Sequence, residues 1–141
     1  MTEEDTRLVQ ESWGKIEFVQ EMVAELFYTR LFELDPAARE LFATDSRERQ
    51  QKFAGFMSAT VRALDRAETL LPVVRALGVR HPALAANDRF HADVALALLW
   101  TLEKSLRRDF TPPVKSAWIA TYGVLSQTLR TSLSGDAQRA A

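Results

Sequence analysis

Apolar residues recur at three- and four-residue intervals along almost the whole chain, the spacing of helices that each bury one face. Thr2 or Glu3 starts a first helix with Leu8, Val9, Trp13 and Ile16 on one side, and Asp5 suits the positive end of its dipole. From Met22, the residues Val23, Leu26, Phe27, Leu31 and Leu34 mark a second helix that stops at Asp35-Pro36. That dipeptide opens a short third segment, with Asp35 as N-cap and Pro36 in the first turn, running to Leu41-Phe42. Asp45 with Glu48 reads as a capping-box-like start for a longer helix carrying Phe53, Phe56, Met57, Thr60, Val61 and Leu64. Leu70, Leu71, Val73, Val74 and Leu77 predict a short helix that ends at Gly78 and His81. Beyond Asn87-Asp88 a helix presents Val94, Leu98, Leu102 and Leu106 along one face. Thr111-Pro112-Pro113 caps a last helix with Val114, Trp118, Tyr122, Leu125, Leu129 and Leu133. The pattern is lost from Ser134, which predicts one domain over 1–134 and a short flexible tail over 135–141. No β-hairpin signal occurs, so the predicted architecture is all-α with seven or eight helices.

Composition narrows what such a bundle can do. At 141 residues the chain can bury a substantial core but cannot hold separate binding and catalytic domains. A formal net charge of −1, with acidic and basic residues interleaved, supplies no basic stripe for nucleic acid. The absence of cysteine removes disulfides, thiolate metal sites and cysteine nucleophiles, and fits a cytoplasmic location. No apolar run is long enough to cross a membrane, and Met1-Thr2-Glu3-Glu4-Asp5 lacks the pattern of a signal peptide. The five glycines are isolated, so no phosphate-cradling loop or dinucleotide fingerprint is present. The Glu-rich first helix and the run Arg47-Glu48-Arg49 read as solvated faces, not acid–base pairs. What survives is a buried cofactor held by few polar groups. His81, standing where an apolar helix stops, could be its ligand or a hydrogen-bonded structural histidine.

A longer match decides between these. Leu8-Val9-Gln10-Glu11-Ser12-Trp13 and Glu25-Leu26-Phe27-Tyr28-Thr29-Arg30-Leu31-Phe32-Glu33-Leu34-Asp35-Pro36 resemble the opening of bacterial single-domain globins and neuroglobins. The resemblance continues through Leu77-Gly78-Val79-Arg80-His81, Ala97-Leu98-Leu99-Trp100-Thr101-Leu102-Glu103, Asp109-Phe110-Thr111-Pro112 and Ala117-Trp118-Ile119-Ala120-Thr121-Tyr122-Gly123. It covers roughly residues 4 to 133 in order. It implies the three-over-three globin sandwich and haem b as cofactor.

On this resemblance the proximal iron ligand falls on His81, and Phe42 matches the phenylalanine that wedges against the porphyrin. Tyr28 matches the second-helix position that points into the ligand pocket, where a phenol can donate to a bound gas. The distal gate lands on Arg49, or on Gln50 if the register slips by one. Arginine stays protonated and cannot ligate iron, so it would pair with a haem propionate or reach a bound anion. Phe53 would line the distal wall, and Leu77, Arg80, Val94 and Leu98 complete the implied cofactor-binding set.

Two departures bear on function. The Tyr-Gly-Val-like segment that usually follows the proximal histidine is replaced by Pro82-Ala83-Leu84-Ala85-Ala86. The usual His-Tyr pair opening the next helix is Phe90-His91, and the late glutamate that supports the proximal imidazole in flavohaemoglobin-like globins falls near Leu133. His91 is either a partner behind the ligand or an exposed residue of an amphipathic helix, and the second is the expectation. The reading is a monomeric or homodimeric binder of dioxygen, nitric oxide and carbon monoxide, for oxygen transport or gas sensing. The alternatives are a nitric oxide dioxygenase served by an external reductase, and a sensor module, haem-bearing or haem-free, that signals to a partner.

Overall fold

The computed structural model describes residues 1–42, 45–80 and 88–140, and within them six α-helices and no strand. They are α1 (Glu3–Ile16), α2 (Gln20–Leu34), α3 (Ser46–Ala63), α4 (Ala67–Arg80), α5 (Asp88–Leu106) and α6 (Pro112–Ala140). Turns of 3-10 helix at Glu17–Val19, Pro36–Leu41 and Arg107–Asp109 complete the helical segments. The segment expected as a short helix after Asp35 is a 3-10 turn, and with the six α-helices among the described residues it is compatible with the seven to eight helices expected.

Local chemistry explains where the helices begin. Thr2 and Asp5 form a reciprocal capping box on α1: the Asp5 N–H donates to Thr2 Oγ1 at 3.0 Å, and the Thr2 N–H donates to Asp5 Oδ2 at 2.9 Å. Asp35 accepts from the Ala37 N–H at 3.2 Å. Asp45 caps α3 by accepting from Arg47 N–H at 3.0 Å, while Glu48 reaches forward to Lys52 at 2.9 Å instead of back to the cap. Thr111 Oγ1 accepts from Val114 N–H at 3.4 Å at the start of α6. Pro72 lies inside α4. It has no N–H to give to the preceding turn, so one bond of this helix's ladder is missing there. Arg107, with φ of 52°, takes the left-handed conformation that ends α5. At the other end of the chain, α6 continues to Ala140, past Ser134 where the apolar pattern stops.

The apolar faces meet as the spacing requires. α1 packs along α6, α2 along α5 and α3, and α4 against α3 and α6, the arrangement of a three-over-three sandwich. Val9, Trp13, Val23, Ala24, Leu31, Phe90, Leu102 and Trp118 are buried at its centre. The buried indoles have partners for their N–H groups: Trp118 Nε1 donates to Ser12 Oγ at 2.9 Å, and Trp13 Nε1 donates to Ser58 Oγ at 3.3 Å. Ser58 in turn donates to Gln20 Oε1 at 3.2 Å, tying α1, α2 and α3 together through one hydroxyl. Among the described residues, no helix is long and apolar enough to cross a membrane.

Candidate functional site: an apolar cavity with a cationic corner

Several apolar residues at core positions of the helical pattern are only partly buried: Phe42, Phe56, Leu77, Val94, Leu98 and Leu125. All of them line one cleft-like cavity of about 970 Å³ between α2, α3, α4, α5 and α6. That is the upper end of the size range of cofactor and small-molecule sites, which run to roughly 1,000 Å³.

Of the residues singled out from the sequence, Tyr28, Phe42, Arg49, Phe53, Leu77, Val94 and Leu98 are brought together on the wall of this cavity. Arg49 lines it and its neighbour Gln51 does too, whereas Gln50, the alternative gate, is not on the wall. Arg80 is the last residue of α4, and its side chain lies outside the described residues, as does His81.

The corner between α2 and α3 is aromatic. Tyr28 is 8 % exposed and meets Phe27 at 5.2 Å, Phe42 at 5.1 Å and Phe53 at 5.9 Å between ring centroids. Phe53 stacks on Phe27 at 4.8 Å, which fixes it as part of the wall. The half-buried Arg49 guanidinium lies over this corner, 5.7 Å from the Tyr28 ring and 5.4 Å from the Phe32 ring. It does not behave as a solvated face, which corrects the reading of the Arg47-Glu48-Arg49 run at this residue. Burial pushes the Tyr28 phenol up to about 12, and the nearby Arg49 charge pulls the other way. The phenol therefore keeps its proton at neutral pH and is a donor.

The opposite wall carries a polar cluster that sequence reasoning missed. His91, expected as an exposed residue of an amphipathic helix, is 8 % exposed and lines the cavity with Tyr122 and Ser126. The Tyr122 hydroxyl donates to the His91 main-chain oxygen at 2.8 Å and lies 3.0 Å from His91 Nδ1. With its single proton given to the carbonyl, Tyr122 Oη accepts from Nδ1–H. Nε2 is then an acceptor for the Ser126 hydroxyl, 2.6 Å away. This satisfies every polar atom of a neutral imidazole. Burial first, then the Arg130 charge, lowers the His91 pKa, with Asp88 opposing. The spacing of Tyr122 and Ser126, one helical turn apart on α6, was the available signal; the partner on α5 was not visible without the fold.

Thr60 was placed on the apolar face of α3 and is 3 % exposed there, on the cavity wall, with no hydrogen-bond partner for Oγ1 among the described residues. Among the described residues on the wall, the charged side chains are Arg49 and Lys52, and there is no aspartate or glutamate.

Among the described residues, six α-helices surround a large, mostly apolar cavity with an aromatic corner and few polar groups, an all-α sandwich. Residues 25–129 match the globin family model. The chain belongs to the globin family. It is 29 % identical over 139 residues to neuroglobin of Danio rerio, covering 89 % of this chain and 87 % of that protein. Neuroglobin-1 of Oncorhynchus mykiss is 27 % identical over the same length, with the same coverage. An anaerobic nitrite reductase of Oryza sativa subsp. japonica is 27 % identical over 135 residues, covering 92 % of this chain and 93 % of that protein.

Proposed function

We propose that this chain is a haem-binding globin that reversibly binds dioxygen, nitric oxide or carbon monoxide. The observation that carries the reading is the cavity itself: about 970 Å³, walled by apolar side chains, with a proton-bearing phenol in one corner. The residues fit haem b. Phe42, Phe53, Leu77, Val94 and Leu98 offer apolar surface to a porphyrin. Lys52 and Arg49 supply the cations that its propionates need, with Arg80 a further candidate. His81 follows the last turn of α4 in sequence and is the proposed iron ligand. When bound, the haem iron supplies the site for a diatomic gas.

The chain's own contribution is orientation and exclusion. Tyr28 is held by four phenylalanines, so its hydroxyl has a fixed direction and water is displaced around it. A hydrogen bond from this phenol to a polarised gas ligand contributes on the order of 1–3 kcal/mol. The His91 cluster bears on chemistry beyond binding. Where flavohaemoglobin-like relatives place a tyrosine and a glutamate behind the ligand histidine, this chain has a neutral imidazole whose nitrogens are engaged by Tyr122 and Ser126. That arrangement supports gas binding over nitric oxide dioxygenase activity with an external reductase. The name of the rice relative places nitrite among the substrates worth assaying.

The test is a visible spectrum of the purified protein. A Soret band that collapses in His81→Ala is expected, and a wild-type protein that takes up no added haem would refute the reading. Tyr28→Phe should speed oxygen dissociation. Oxygen-dependent consumption of nitric oxide with an added reductase would move the assignment to the dioxygenase.

A further inference from the structure

A hydroxyl inside a helix commonly gives its proton to the carbonyl four residues earlier, as Thr101, Thr121 and Thr128 do at 2.7, 2.9 and 2.8 Å. Ser126, in the middle of α6, departs from this habit: its hydroxyl is aimed across at His91 Nε2 on α5, 2.6 Å away. The imidazole is held from behind, with Nδ1 3.0 Å from the Tyr122 hydroxyl, which is itself anchored on the His91 main-chain oxygen at 2.8 Å. All three side chains line the cavity, on the wall opposite the Tyr28 corner. A structural histidine needs its nitrogens satisfied and nothing more. Here the group on one nitrogen is a half-buried primary alcohol on the wall of a space large enough for a guest. The base that holds its proton is oriented in turn by a third group. Hydroxyl, base and orienting group in that order form an activated nucleophile. Burial lowers the His91 pKa, which leaves Nε2 unprotonated and able to take a proton at neutral pH.

We propose that Ser126 is a nucleophile for acyl transfer, with His91 as its general base and Tyr122 as the residue that positions the imidazole, and that its substrates are esters of small apolar acids with a stable leaving group. Ser126 Oγ forms a bond to the ester carbonyl carbon as its proton passes to His91 Nε2. The bond from that carbon to the alcohol oxygen then breaks, and the leaving alcohol takes the proton from Nε2. Water repeats the sequence on the acyl-serine, releasing the acid and restoring Ser126, with no electron gained or lost overall. The restriction on leaving group follows from position. Ser126 lies inside α6, where the neighbouring backbone N–H groups are committed to the helical ladder and not to a developing oxyanion. Amides, with their poor leaving groups, fall outside its range. Val94, Leu125 and Leu129 on the same wall give the acyl group an apolar seat. The inference goes beyond gas binding and needs no iron, since porphyrin and ester compete for the same space.

The experiment follows hydrolysis of p-nitrophenyl acetate by the full chain. A burst of nitrophenol in proportion to the chain should precede slow turnover, and peptide mass spectrometry of the quenched protein should place the acetyl group on Ser126. Ser126→Ala should lose both, and His91→Gln, which keeps the hydroxyl, should slow acylation by about 100-fold or more. The acylation rate should rise with pH as His91 loses its proton, with Tyr122 and Ser126 as its contacts and the charges of Arg130 and Asp88 facing it. Tyr122→Phe removes the acceptor that favours the imidazolium, so the midpoint of that rise should move to lower pH, a shift that lost packing alone would not produce. Across preparations of different haem content, read from the Soret band, the burst should track the haem-free fraction. Acetyl groups found on lysines alone, a burst that survives Ser126→Ala, or a burst indifferent to haem content overturns the inference and leaves the gas-binding reading standing.

Discussion

The hydroxyl of Tyr122 donates to the main-chain oxygen of His91 at 2.8 Å, bridging α6 to the first turn of α5 through a partly buried contact. Removing that hydroxyl takes away the 3.0 Å partner of Nδ1–H and the second hydrogen bond of the His91 carbonyl, which keeps its place in the helical ladder of α5. Tyr122→Phe should therefore destabilise the fold by about 1–3 kcal/mol. The midpoint of urea unfolding measures this, and an unchanged midpoint would mean that the bond is replaced by water.

Acid should weaken the fold through the same cluster. The folded-state pKa of His91 lies below the ordinary imidazole value, so the unfolded chain takes up the proton first as pH falls. The stability contributed by the neutral imidazole is fully present above about pH 6.5. It is lost as pH falls from there toward the folded value. Stability measured between pH 7.5 and 5.5 should fall less steeply in His91→Gln than in the wild type, because glutamine carries no proton across that interval.

At the other extreme of pH the tyrosines act in the opposite sense. Both tyrosines of the chain are shifted upward by burial, Tyr28 to about 12 and Tyr122 further. In the unfolded chain both ionise near 10, so stability falls as pH rises from that point toward the folded values. Phenolate absorbance should stay absent through pH 10 in the folded protein and appear together with unfolding. In Arg49→Gln the Tyr28 phenol loses the cation that favours its ionised form, and its titration should move higher still.

Most of the fold was legible in the residue pattern because burial of one helical face leaves a periodic trace. Trp13, Phe53 and Trp118 sit where that period put them. The Asp35, Asp45 and Thr111 caps were readable because a short polar side chain before a helix has one physical use. His91 was misjudged for a different reason. Its neighbours in sequence gave it a polar face, and the residues that engage it, Tyr122 and Ser126, lie 31 and 35 residues further along the chain. Of the site, the aromatic corner could be drawn up from the resemblance, but the one-sided charge of the cavity wall could not. That property belongs to no single residue.

Backbone conformation yields a pair of opposite predictions. A Cβ added at Gly14, Gly55 or Gly123 would meet nothing within 4 Å, and each lies inside a helix. Alanine at any of the three should stabilise by about 0.5–1 kcal/mol. Arg107, with φ of 52°, is the reverse case, and Arg107→Gly should relieve roughly 1 kcal/mol of backbone strain. Thermal or urea midpoints check both directions.

Burial without exposure of polar groups sets the cost of disturbing the core. Ser12→Ala leaves the Trp118 indole N–H unsatisfied, and its loss should cost about 1–3 kcal/mol. Pairing it with Trp118→Phe should recover the hydrogen-bond part of that cost. A double-mutant cycle on unfolding free energy checks this, and additive losses would show that the two side chains act independently.

The packing of α1 along α6 joins the first and last described helices, and the 29-residue α6 also supplies Tyr122, Leu125 and Ser126 to the cavity wall. During synthesis the chain emerges from its N-terminus. Until α6 has left the ribosome, α1 has no surface to bury its apolar face against, and the compartment between the layers stands open on one side. Loading of a guest molecule is thereby deferred until α6 has been made, and a nascent chain stalled before Thr111 should hold none.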